Sequence, residues 1–202
     1  RDEMLSAVAR LAPLLVGVGL CAFRLWDGDP ELYSGVTLVG RGGHEDPSFP
    51  ELRLAIGDWS ALDAVHVGRQ SLTTAHAPDW LARYRTADCA CLRLYPLLAG
   101  PTRTLGVMLV DLGEAGDGHA ETGNGAGNGA TSFAARREEL VQNVARQTAQ
   151  GLESAYLRSA QQEEAWVNTA LLQVAEAVNS LTDLNEILDT IVRLVPLLVG
   201  VD

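Results

Sequence analysis

The chain has 202 residues, 47% of them hydrophobic and 20% charged, with a formal net charge of −11 and no lysine. That composition excludes wholesale disorder, and the length suits one well-packed domain plus an appendage. Acidity of this size, uninterrupted by any cluster of arginines, repels nucleic acid and anionic membrane surfaces, so neither is an expected partner.

In chain order, Leu11–Cys21 is apolar but too short to span a bilayer, and it holds Pro13 and two glycines. Arg1-Asp2-Glu3 lacks the positive leader of a signal peptide. With an odd count of three cysteines (Cys21, Cys89, Cys91), this reads as a reducing, cytoplasmic setting. Gly19–Leu25 and Leu32–Val39 are short apolar runs separated by Trp26-Asp27-Gly28-Asp29-Pro30, which predicts a hairpin. Arg41–Pro50 is a polar loop, Leu52–Ile56 a further short strand, and Trp59–Val67 carries apolar residues at helical spacing. Gln70–Thr74 is a weak strand, and Pro78–Arg85 a short helix with proline in its first turn. Cys89–Leu98 and Thr104–Leu112 are the strongest strands. The turn Ala99–Arg103 between them is too short for a crossover, so the pair must be antiparallel.

Gly113–Thr131 contains seven glycines and no aliphatic residue larger than alanine, which predicts a surface loop. Beyond it the apolar period changes to about 3.6. Ser132–Val178 has no proline and only Gly151 as an interruption, so a single helix of about 70 Å is expected over 132–179. A domain can cover only its first turns. The far end, with Leu171, Leu172, Val174 and Val178, calls for another helix, most simply that of a second copy in a parallel homodimer. An antiparallel return onto the same domain is the alternative. The helix is expected to break near Asn179–Thr182, with Asp183 and Glu186 placed to cap a new one.

That new helix, within 183–202, repeats the start of the chain. Met4–Gly19 reads MLSAVARLAPLLVGVG and Ile187–Asp202 reads ILDTIVRLVPLLVGVD, with nine of sixteen positions identical at an offset of 183. A repeat at this spacing implies tandem domains, with 183–202 opening a second, truncated copy and the chain a fragment of a longer protein.

Leu14-Leu15-Val16-Gly17-Val18-Gly19 running into Cys21–Asp27, and Leu94-Tyr95-Pro96-Leu97 followed by Leu105–Val110, resemble the first helix, first strand and central strand pair of the GAF domain family. The resemblance covers residues 4–157, within a domain taken as 1–157. It implies an α+β fold: an antiparallel sheet of about six strands with helices on both faces, followed by a long C-terminal helix. It also implies a small-molecule pocket under the loops between the second and fifth strands. Tandem domains of this kind are similar to the input halves of bacterial signalling proteins. The resemblance therefore implies a non-enzymatic sensor that passes its state to a downstream signalling domain in cis. A structural dimerisation spacer with no ligand is the rival expectation.

The candidate ligand-binding residues follow from that placement: Trp59, His66, His76, Trp80, Tyr84 and Cys91. The aromatic members could stack a planar ligand or simply anchor short helices to the sheet. Cys89-Ala90-Cys91 lacks the cysteine–histidine neighbourhood that resembles a bilin site, and the absence of lysine departs from the family's cyclic-nucleotide signature. The four histidines show no metal-ligand spacing, so no metal is expected. Cys89 and Cys91 would share one face of a strand, which makes free-methionine-sulfoxide reduction the sharpest enzymatic alternative. No catalytic set of another kind stands out.

Overall fold

A computed structural model describes residues 1–26, 32–40, 43–82, 92–112, 127–180, 188–189 and 191–193. The chain divides into two compact units, Arg1–Glu153 and Ser154–Asp202.

The first unit is built on six strands: β1 (Leu20–Trp26), β2 (Leu32–Gly40), β3 (Arg53–Ala55), β4 (Leu72–Thr74), β5 (Leu92–Ala99) and β6 (Arg103–Asp111). They form one sheet in the order β3-β2-β1-β6-β5-β4, with every neighbouring pair antiparallel. The predicted hairpin is β1–β2, and the predicted strong pair is β5–β6. Both central strands are apolar on consecutive positions, because both sides of the sheet are covered: seven residues of β6 from Leu105 to Asp111 are buried. The expected α+β fold is the observed one.

On one face lie α1 (Asp2–Val16) and the first-unit part of α4 (Gly127–Ser180). Leu5, Ala9 and Ala12 form the buried stripe of α1, which ends at Gly17 in the left-handed conformation (φ 70°), its N–H donating to the Pro13 carbonyl. Val141, Ala145, Thr148, Ala149 and Leu152 are the buried stripe of α4 in this unit. Alanines there let α4 lie close, and Gly151 meets Met4 of α1. Arg137 donates from Nε to the Val16 carbonyl at 2.9 Å and from Nη2 to Gly17, satisfying carbonyls left open at the end of α1. Glu138 accepts from the Tyr95 hydroxyl at 2.9 Å and pairs with Arg93, both on β5. Helix α4 begins at Gly127, inside the stretch expected to be loop. Extending a formed helix backwards by a few residues adds a hydrogen bond for each residue fixed, which offsets most of the glycine penalty.

The other face carries α2 (Ser60–Gly68), a 3-10 turn at Phe49–Glu51 and the four-residue α3 (Asp79–Ala82). The main core lies here, with Leu20 and Ala22 of β1, Leu92 and Leu94 of β5, and Val107 and Leu109 of β6 facing Phe49, Trp59, Leu62, Val65 and Leu81.

In the second unit, the Ser154–Ser180 portion of α4 exposes Leu157, Trp166, Val167, Leu171 and Leu172. The expected second-domain helix at 183–202 lies almost wholly outside the described residues, as does the 113–126 part of the expected loop. Among the described residues no helix is long and apolar enough to cross a membrane.

Candidate functional site

The α2 face holds a charged residue in the interior. Arg24, near the end of β1, is 0% exposed. It shares the α2 side of its strand with Leu20 and Ala22 because side chains alternate. Between Phe23 and Arg24 the β1–β2 register slips by one, from Phe23↔Thr37 to Arg24↔Gly35, leaving Val36 without a partner in the ladder. Such bulges bend a strand and re-aim side chains. Opposite Arg24, Gly35 has no Cβ, and a Cβ there would sit 2.1 Å from the Phe49 carbonyl oxygen. Only glycine lets the 3-10 turn come down onto the sheet and deliver the Phe49 ring.

The guanidinium packs against two aromatic rings, its central carbon 4.7 Å from the Phe49 ring centroid and 4.6 Å from that of Trp80. Nη1 donates to the Leu52 carbonyl at 2.9 Å and to the Tyr33 carbonyl at 3.4 Å. Among the described residues, Nε and Nη2 have no hydrogen-bond partner. Burial pulls the pKa down to about 10, so the group still carries its charge at neutral pH.

A second aromatic cluster adjoins along β1 and β2. Trp26 and Tyr33, register partners, meet edge-on at 4.5 Å, and the His66 ring lies 4.5 Å from Trp26 and 5.6 Å from Tyr33. Among the described residues, Tyr33 Oη and His66 Nδ1 also lack hydrogen-bond partners. Burial raises the tyrosine's pKa, with Asp63 adding to it.

Of the six residues expected from sequence, Trp59, His66 and Trp80 lie on this face. Trp59 is buried at the N-terminus of α2, and Trp80 packs edge-on to it at 6.1 Å and against Phe49 at 5.8 Å. His76 is exposed in the loop after β4, its backbone N–H accepted by the Thr74 hydroxyl. Tyr84 and Cys91, with Cys89, Arg83, Arg85 and Asp88, lie outside the described residues. Among the described residues Cys21 is a free, buried cysteine whose thiol burial pushes up to about 12, which leaves it inert as a nucleophile. Among them no group of three His, Cys, Asp or Glu side chains is placed to hold a metal ion.

Arg24, Tyr33 and Phe49 are absent from the sequence-derived set. The available signal for Arg24 is a lone charge inside GLCAFRL, flanked on both sides by residues that themselves belong inside.

His66 makes the face sensitive to acid. Desolvation lowers its pKa below the ordinary 6.5, with Arg69 assisting and Asp63 opposing. Below that ordinary value the unfolded chain takes up a proton that the folded chain declines. Stability is therefore full above about pH 6.5 and is lost as the pH falls toward the lowered folded value. The melting temperature is expected to drop between about pH 7.5 and pH 5.5, and to drop less in His66→Gln. Equal drops would remove His66 as the source.

A six-stranded antiparallel sheet in the order β3-β2-β1-β6-β5-β4, with α1 and a long terminal helix on one face and short elements on the other, is the GAF-domain fold. The chain is similar to the second GAF domain of DevS from Mycobacterium smegmatis, at 14% identity and TM-score 0.55, over 80% of this chain and 99% of that one. It is similar to the GAF-B domain of DevS from the same organism, at 15% identity and TM-score 0.51, over 79% and 99%. It also resembles a red/green cyanobacteriochrome in its red light-absorbing state, at 12% identity and TM-score 0.50, over 77% and 96%. No family model and no curated protein matches the sequence.

Proposed function

We propose that the chain is a cytoplasmic sensory module of a bacterial signalling protein. It binds a small molecule on the α2 face and relays its state through α4, as a homodimer, to a downstream domain. The observation that carries the reading is α4 itself. The helix runs for 54 residues; Val141, Ala145, Ala149 and Leu152 are buried, whereas Leu157, Trp166, Val167, Leu171 and Leu172 are exposed. Trp166 is 62% exposed and Leu172 is 65% exposed, which nothing in a solitary helix offsets. Val167, Leu171 and Val174 follow the 4–3 spacing of a two-stranded seam, which Val178 continues in sequence. Glu138 and Arg137 join the same helix to β5 and to the end of α1, so a change on the sheet has a mechanical route into it. A ligand moves that linkage only if it favours one packing over another.

The parent chain is expected to elute at twice its 21.5 kDa mass in light-scattering chromatography, and Leu171→Glu as a monomer. A monomeric parent would end the helix-pairing proposal. Native mass spectrometry of the purified protein tests the sensory half, by showing a retained small molecule. The packing of Trp59, Trp80 and Phe49 against one another favours a second reading, a dimerisation spacer without ligand. Under that reading native spectra show the bare chain.

A further inference from the structure

We propose that the Nε–Nη2 edge of Arg24 is the receptor for the carboxylate of a small organic acid, a proposal that rests on the small-molecule reading above. Two observations converge on this edge. The guanidinium is fully buried, and among the described residues its Nε and Nη2 have no partner, whereas Nη1 is fixed on the Leu52 and Tyr33 carbonyls. The two open donors are adjacent, forming the side-on fork that meets two carboxylate oxygens in parallel hydrogen bonds. Phe49 and Trp80 lie 4.7 Å and 4.6 Å from the guanidinium carbon with their own centroids 5.8 Å apart, so both rings pack on one side of the group rather than on its two faces.

The physical case is one of charge compensation. A buried cation without an opposite charge is costly, and the cost is removed when a single negative charge arrives with good geometry. Desolvation is what lowers Arg24's pKa, and no acidic side chain among the described residues acts on it. A monoanion matches the one positive charge. A phosphate dianion would bring surplus negative charge into a chain already at −11. The adjoining wall suits an apolar or aromatic acid: Trp26, Tyr33 and His66 pack ring to ring, and Tyr33 Oη and His66 Nδ1 are polar atoms without partners among the described residues. The edge is closed to solvent, so a ligand reaches it when the cover on this face opens. That cover includes the four-residue α3, which carries Trp80, and the three-residue turn that carries Phe49.

Acetate tests the fork independently of the rest of the ligand, with acetamide and sodium chloride at matched ionic strength as controls on the full chain. Acetate at ten times its dissociation constant is expected to raise the melting temperature by about 4 °C, and the two controls to leave it unchanged. Arg24→Met is expected to abolish the acetate response and, without acetate, to melt at or above the parent temperature, because it removes a buried charge that no described acidic side chain offsets while keeping volume. Equal shifts with acetate and chloride, an acetate response retained in Arg24→Met, or a markedly lower melting temperature of that variant would each overturn the proposal. A metabolite retained in native spectra by parent and Arg24→Met alike would overturn it while leaving the sensory reading standing.

Discussion

Phe49→Ala is expected to destabilise the first unit by about 3–5 kcal/mol, a loss of roughly 10 °C in melting temperature. Phe49 is among the largest fully buried side chains, although it sits in a three-residue turn of a stretch that is otherwise polar. Its ring touches Trp80 and covers Arg24, so truncation removes transfer energy, opens a cavity and strips one face from a buried cation. The turn cannot settle inward to fill the space, because its carbonyl already rests against Gly35. Phe49→Leu keeps most of the volume and is expected to cost under about 1.5 kcal/mol, which separates packing from the ring's interaction with Arg24. Urea denaturation measures both. A cost below about 1 kcal/mol for Phe49→Ala would show that the turn is not part of the core.

Gly106→Ala is expected to cost about 3 kcal/mol or more. A Cβ at Gly106 would lie 2.2 Å from the Arg24 carbonyl oxygen and 2.9 Å from the Leu25 Cα, both backbone atoms of the strand paired with it. Relief requires β1 and β6, the two central strands, to separate, which weakens hydrogen bonds across the middle of the sheet. Rotamer changes cannot absorb a backbone clash. The control is Gly68→Ala at the end of α2, where an added Cβ meets nothing within 4 Å. There the substitution is expected to be neutral or to stabilise by about 0.5 kcal/mol, through the lost flexibility of the unfolded chain. Similar effects at both positions would contradict the close approach of β1 to β6.

Every strand was legible in the sequence, for reasons that are local. Alternation and turn chemistry at Trp26–Pro30 and Ala99–Arg103 announce the two hairpins, and both form within a few residues of the expected ends. The long helix was legible because 47 residues without proline leave few other options. The candidate site was legible only in part. Trp59 and Trp80 stood out as large aromatics, yet the residue that Trp80 covers, together with Phe49, is Arg24, which the sequence marks only as a lone charge inside an apolar strand.

The same division holds for that long helix, at the fold's other face. Helical period put Leu140, Val144 and Leu152 on one stripe with residues farther on, whereas the structure exposes Leu140 and buries Val141, Ala145 and Leu152, and the period did not tell where cover ends. Burial in the structure places that limit after Leu152 in the first unit. The order and kind of elements were legible from the chain, because these follow from periodicity, glycine and proline over a few residues at a time. Which side chains meet was settled by packing between elements. A one-residue slip between Phe23 and Arg24, and the missing Cβ of Gly35, bring a turn 25 residues away onto a charge that no local rule would put in a core.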